Sequence, residues 1–246
     1  MARRTDLTPR LDPNIARLAG ALADPSRAAM LDALLDGSTQ AIGALARRAG
    51  VTPATASGHL RRLLDERLVV VARDGRERRV RLASPRVAQL LETLATLADP
   101  APAAAPAITA ASTSRARELR FARTCYDHFA GVVGVAITRA LLARRWLRAH
   151  DGTFTAAPEL LAWLADHGHP LADPPHTRRP LARACLDWSE RTPHLAGRTG
   201  AAIVELAFAR QWVVRVRGSR AVRLTTRGRT AFADELAASF ALPGQR

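Results

Sequence analysis

Ala41–Leu68 reads AIGALARRAGVTPATASGHLRRLLDERL, and the fold of the first part of the chain turns on it. Ile42, Leu45 and Ala46 fall at helical spacing, so Ala41–Ala49 reads as a short helix. Gly50 ends it and Val51 plugs the turn. Thr52 is a good N-cap, and Pro53 takes the first helical position, where a missing N–H costs nothing. The second helix runs to about Arg67, with Ala56, Leu60, Leu63 and Leu64 on one face. Thr52, Thr55, Ser57, His59 and Arg62 are left outside. This is a helix-turn-helix whose second helix carries small polar groups at its start. Such a surface lets the backbone approach base edges in a major groove, so these five residues are the candidate DNA contacts.

The flanks extend the pattern. Asn14–Leu22 is a short apolar helix after a polar, basic and frayed start. Asp24 caps and Pro25 opens the next, which buries Met30, Leu31, Leu34 and Leu35 before Gly37 stops it. Val69–Ala83 (VVVARDGRERRVRLA) switches to a two-residue period around Asp74-Gly75, a strong hairpin signature. Its tip carries Arg73, Arg76, Arg78 and Arg79. Such a wing sets Arg73, Arg76 and Arg78 against DNA backbone or a minor groove. Ser84–Leu97 follows as a helix with Val87, Leu90, Leu91, Leu94 and Leu97 on one stripe, which suits a dimer interface.

LADPSR (22–27), GVTPATASGHLRRLLDERLVV (50–70) and DGRERRVRLA (74–83) carry a family likeness. Residues 14–98 resemble the ArsR-type winged helix-turn-helix regulators. The resemblance implies a homodimeric repressor on a palindromic operator in double-stranded DNA, released by a metal, an oxidant or a small molecule. Two departures matter. Metal-sensing members carry a Cys-x-Cys-type motif where this chain has Thr39-Gln40-Ala41-Ile42-Gly43. Others use Asp/His pairs on the dimer helix, which here reads SPRVAQLLETLATL, without either. A sensor, if present, lies elsewhere.

Composition agrees with a polyanion partner. The 246 residues carry a net charge of +15, and all 37 basic residues are Arg. The Arg, Ala and Pro load also reflects a compositional bias, and the charge is spread over both halves. With 48% apolar residues a packed core is easy to build. No apolar run approaches membrane-spanning length and no signal-peptide pattern opens the chain, so a cytoplasmic protein without a membrane partner is expected. Two cysteines do not make a disulfide scaffold in a chain this long.

The expected class is mainly α with small β-hairpins (α+β). A winged helix-turn-helix domain for DNA binding and dimerisation covers 1–98, and an Ala/Pro-rich linker 99–115. A C-terminal sensor or effector domain spans 116–246 and contains a weak duplication (about 116–165 and 180–240). His128–Ile137 aligns with His194–Ile203, and TRALLARRWL (138–147) with VELAFARQWV (204–213). Each copy then has a hairpin, turning at Asp151-Gly152 and at Gly218-Ser219. The copies read as winged-helix-like units without a clear recognition helix. Upstream, Cys125-Tyr126-Asp127 matches Cys185-Leu186-Asp187.

Three readings of the repeated residues stand side by side. Cys125, His128, Cys185 and His194, with Asp127 and Asp187 nearby, are a donor set for Zn²⁺ or another transition metal. The spacing Cys125-x2-His128 places both on one helical face. Alternatively the cysteines are a thiol switch, activated by Arg123, Arg183 and Arg191. Or they simply pack, beside an organic-ligand pocket lined by Tyr126, Phe129, Trp146, Trp163, Trp188 and Trp212. His167, His169 and His176 fall in a Pro-rich loop and are expected to face solvent. The rival function class is a small-molecule-binding protein or enzyme with an appended DNA module. No Ser/His/Asp set, P-loop or GxGxxG supports catalysis.

Overall fold

The computed structural model describes residues 14–74, 77–98, 110–171 and 179–240. They form two compact units. One comprises the described residues up to Leu35 together with Thr39–Ser84; the other comprises Asp36–Ser38 and the described residues from Pro85 onward.

In the first unit, α1 (Ile15–Leu22) starts at Asn14 and α2 (Pro25–Leu34) at Asp24. Each cap side chain accepts a backbone N–H three residues on, at 3.0 and 2.9 Å. A short strand β1 (Gln40–Ala41) precedes α3 (Ile42–Ala49) and α4 (Pro53–Asp65). Between the two helices Gly50 adopts φ +66°, a left-handed turn that a side chain would strain. Strands β2 (Val69–Asp74) and β3 (Glu77–Leu82) pair antiparallel, and β1 adds to the free edge of β3. That third strand was not legible from two residues of sequence. Met30, Leu31, Leu34, Leu45, Ala56, Leu63 and Val80 fill the core. Truncating a buried leucine such as Leu63 to Ala costs about 2–5 kcal/mol.

The second unit opens with α5 (Pro85–Leu97) and α6 (Ala110–Phe121). The expected first domain, 1–98, includes α5; in the structure α5 groups with the C-terminal half. The expected linker is partly corrected as well. Residues 99–109 lie outside the described residues, but the chain is helical from Ala110. No proline lies between Pro106 and the end of this helix, and the Ala, Arg, Glu and Leu residues of 110–121 are good helix formers.

Two copies of hairpin, helix, hairpin, helix follow. The first is β4 (Arg123–Cys125), β5 (His128–Ala130), α7 (Gly131–Ala143), β6 (Leu147–His150), β7 (Thr153–Ala156) and α8 (Pro158–Asp166). The second is β8 (Arg183–Leu186), β9 (Pro193–Ala196), α9 (Arg198–Ala209), β10 (Val213–Arg215), β11 (Val222–Leu224) and α10 (Thr226–Leu236). α7 and α9 are the central helices, with most of their residues buried. The repeated Ala-Gly-x-x-Gly explains how they start. Gly134 and Gly200 lie against the backbone carbonyls of Phe129 and Leu195, where a Cβ would collide. The β6–β7 turn falls at Asp151-Gly152, both at positive φ as a two-residue hairpin requires.

The aromatic residues are mostly core rather than a ligand pocket. Phe129, Trp163, Trp212 and Phe232 belong to one cluster, with Trp212 and Phe232 ring centres 5.2 Å apart. Tyr126 is exposed and Trp188 packs under Arg123. No helix among the described residues is long and apolar enough to cross a membrane.

Candidate nucleic-acid interface and Cys/His cluster

The start of α4 is capped and back-bonded by its own hydroxyls. The Thr52 Oγ1 accepts the Thr55 N–H at 3.2 Å, and the two threonine hydroxyls meet at 2.9 Å. Ser57 donates to the Pro53 carbonyl at 2.9 Å. Thr52, Thr55, Ser57, Gly58, Arg61 and Arg62 are exposed, while Ala56, Leu60 and Leu63 face inward. On the wing, Arg73 and Arg78 sit directly opposite each other across the ladder and both are exposed. Like charges in register repel, and a phosphate relieves that repulsion. A groove of about 400 Å³ runs between α4 and the wing, lined by Ser57, Leu60, Arg61, Leu64, Val71 and Arg78.

In the second unit the two leading hairpins build one cluster. Cys125 pairs in register with His128, and Cys185 with His194. The two hairpins bring the imidazoles together, Nε2 to Nε2 at 3.1 Å. One ligand atom from each of the four side chains lies within 4.8 Å of the other three. Cys125, His128 and His194 are buried and Cys185 is half-buried.

Both imidazoles are backed by a carboxylate. Asp127 stands 3.3 Å from the Nδ1 of His128, and Asp187 stands 3.3 Å from the Nδ1 of His194. Asp187 is fully buried. It accepts from Arg123 at 3.0 and 3.1 Å, from the Gly131 N–H at 2.6 Å and from the Ser189 N–H at 2.9 Å. Burial pushes its pKa up, but the neighbouring His194, the Arg123 charge and the Gly131 N–H and Ser189 hydroxyl outweigh burial and hold it low. Burial likewise opposes ionisation of Asp127, and His128 and Arg179 bring it down to about 2. His194 is raised: burial works against its charged form, and Asp187 and Cys185 overcome it.

The two sulfurs are unequal. The neighbouring Cys185 sulfur, burial and the Glu92 charge push the Cys125 thiol up. Its S–H donates to Glu92 at 3.0 Å. Cys185 is held down by Cys125 first, then by His128 and His194 against its own burial. Of the two sulfurs, Cys185 is the one held toward its thiolate form. Glu92 projects from α5 and also accepts from Trp188, Arg220 and Arg123, at 3.1, 3.0 and 3.3 Å. Burial raises its pKa, and the two arginines and Cys125 bring it below the usual range.

A family model described as a helix-turn-helix domain matches residues 22–72. The chain is 38% identical over 226 residues to the "Uncharacterized HTH-type transcriptional regulator YdfF" of Bacillus subtilis, covering 92% of this chain and 98% of that protein. The chain belongs to the HTH-type transcriptional regulators. It is a DNA-binding transcriptional regulator. The regulator is also 44% identical over 80 residues to the HTH-type transcriptional regulator CmtR of Mycobacterium tuberculosis, covering 32% of this chain and 67% of CmtR. Among solved structures it is similar to the homodimeric winged helix-turn-helix domain of Mb0332 from Mycobacterium bovis, a possible ArsR-family regulator. The identity is 34% and the TM-score 0.32, over 34% of this chain and 76% of that one.

The structure of the regulator sorts the residues singled out from sequence. Thr52, Thr55, Ser57 and Arg62 share the exposed side of α4, although Arg62 also lies 3.6 Å from Glu66. His59 does not join them. Its Nδ1 lies 3.3 Å from Arg27 and 3.7 Å from Asp24, against the start of α2. Arg73 and Arg78 are on the wing, and Arg76 lies outside the described residues. Arg61, on the exposed face between Ser57 and Arg62, was missed.

Cys125, His128, Cys185, His194, Asp127 and Asp187 do converge, by a different local route. Cys125 and His128 lie on a tight hairpin and not on a helix, because Tyr126 at φ +59° turns the chain back. Two of the arginines expected beside the sulfurs have other partners. Arg123 is committed to Glu92 and Asp187, and Arg191 donates to the Ala95 carbonyl. His167 is not a solvent-facing residue: it stacks on Trp163 and pairs with Glu235 at 2.8 Å. His176 lies outside the described residues. Glu92 and Arg123 were missed, although Glu92 is the single acid of α5, a cue for a buried partner.

Proposed function

We propose that the regulator is a homodimeric repressor. Each protomer places α4 in a major groove of a palindromic operator, with the β2–β3 wing on flanking backbone or minor groove. Thr52, Thr55, Ser57, Arg61 and Arg62 read or clamp the site, and Arg73 and Arg78 hold phosphates. Arg76, at the wing tip by sequence, joins them. His59 is assigned to packing. The observation that carries this reading is the exposed turn of small polar side chains that opens α4 beside an Arg-bearing wing.

The dimer rests on α5. Its buried face is Ala88 and Glu92, while Leu94 and Leu97 are 41% and 80% exposed on the stripe with Val87, Leu90 and Leu91. A second copy of that stripe is the natural cover. The C-terminal half is the effector side, and a change at its Cys/His cluster shifts DNA affinity by two-state coupling.

Selection of bound duplexes from a random pool tests the proposal. The expected product is an inverted repeat with half-sites about one helical turn apart, bound by two chains. A single half-site bound by one chain, or no sequence preference, contradicts it.

A further inference from the structure

We propose that Cys125, His128, Cys185 and His194 bind one borderline-soft divalent metal ion, zinc in the first instance, in a closed tetrahedral site shared by the two repeats. Two sulfurs and two imidazole nitrogens are the donor set that zinc and its congeners take from proteins. A tetrahedron with Zn–S near 2.3 Å and Zn–N near 2.0 Å separates its ligand atoms by about 3.3–3.8 Å. Here all four lie within 4.8 Å of one another, and the two Nε2 atoms already meet at 3.1 Å. Closing the set to those separations takes movements of about an ångström.

The surroundings point the same way. Two imidazole nitrogens facing each other at hydrogen-bond distance need a proton or a cation between them. Each ring presents Nδ1 to a carboxylate and turns Nε2 inward, the orientation that carboxylate-backed histidine ligands adopt around metals. The backing residues are equivalent in the two copies: Asp127 stands two residues after Cys125, and Asp187 two after Cys185. A packing role for four such residues explains none of this pairing. All four positions are filled by protein, so the site is of the closed kind and leaves no coordination position for substrate. The half-buried Cys185 marks the side from which an ion reaches it. With two thiolates the bound dication is neutralised, which suits a buried centre.

As an effector site this assignment rests on the reading of the C-terminal half as the sensing side; as a metal site it stands alone. The test uses the full chain, purified under reducing conditions and stripped with chelator. Zn²⁺ and Co²⁺ are titrated into it, Co²⁺ serving as the optical probe. The expected result is one equivalent of metal per chain, with visible bands of tetrahedral cobalt and a sulfur-to-cobalt charge-transfer band. Zinc is expected to displace the cobalt. Cys125→Ser/Cys185→Ser is expected to abolish both bands, while Asp127→Asn keeps their positions and weakens affinity about 10- to 100-fold. Because the double variant alters a buried cluster, alkylation of the wild-type cysteines is measured in parallel and is expected to slow when zinc is bound. No stoichiometric metal, cobalt bands that survive in the double variant, or unprotected cysteines overturn the site. Operator titration of the same stripped samples keeps failure of the metal site distinguishable from failure of the DNA-binding reading.

Discussion

His128 and His194 are 66 positions apart in the chain, yet their Nε2 atoms meet at 3.1 Å inside the second unit. Each comes from the strand that follows the turn of its own repeat, and each is braced behind by that repeat's aspartate. Duplication therefore does chemical work here. Two copies of a half-site that holds one sulfur and one nitrogen make a complete site when the hairpins meet. The helices that follow each hairpin need their glycines for the same reason: Gly200 lies close to the Cβ of His128 as well as to the Leu195 carbonyl.

Arg73 and Arg78 face each other across the wing ladder. If both hold phosphates, replacing either by Ala is expected to lower the slope of log K against log salt by about one. Both together are expected to lower it by about two. Titrations at several salt concentrations on one operator fragment give the slopes. Unchanged slopes would remove the wing from the interface.

Glu92 holds two arginines and a thiol in a buried pocket. Glu92→Leu leaves Arg123 and Arg220 short of a counter-charge. A loss of about 3–5 kcal/mol is expected, read from denaturant unfolding of the second unit, because one partner of a buried ion pair is removed and the other stays. A loss below 1 kcal/mol would show that Glu92 does not organise this pocket.

The carboxylates set the acid limit of the metal-free protein. Asp187 and Asp127 are both held below the value of about 3.9 of an unfolded chain. Their contribution is full above about pH 4 and is lost as pH falls through the folded values, since the unfolded state then binds more protons. His194 is raised, so its contribution is full below about 6.5 and fades as pH rises through its folded value. Thermal melts of chelated protein are expected to fall as pH drops below about 4, through the folded values of the two aspartates. Melts unchanged between about pH 4 and 2 would contradict the assigned carboxylate pairings.

The first unit was legible because its cues are local. Asp24 and Thr52 each cap the helix they are expected to cap, and the wing strands pair in register from Val69–Leu82 to Asp74–Glu77 around the expected Asp-Gly, whose glycine lies outside the described residues. The face of α4 that carries His59 also looks toward the start of α2, which a helical wheel does not show. The cluster was half legible. The repeat named its residues, but strands as short as Arg123–Cys125 carry too few residues to show a two-residue period, so their hairpin geometry was hidden. Glu92 and Arg123 were hidden for another reason: they act through partners far away in sequence.

The central claim is that the Cys/His site of the second unit sets DNA affinity. Fluorescence anisotropy of a selected operator, with chelated and zinc-loaded wild-type protein side by side, tests it most directly. The account expects the two affinities to differ by at least about fivefold, the lower end of ordinary allosteric coupling, and to coincide in Cys125→Ser/Cys185→Ser. Equal affinities in wild-type protein whose metal content is verified at one per chain would contradict it.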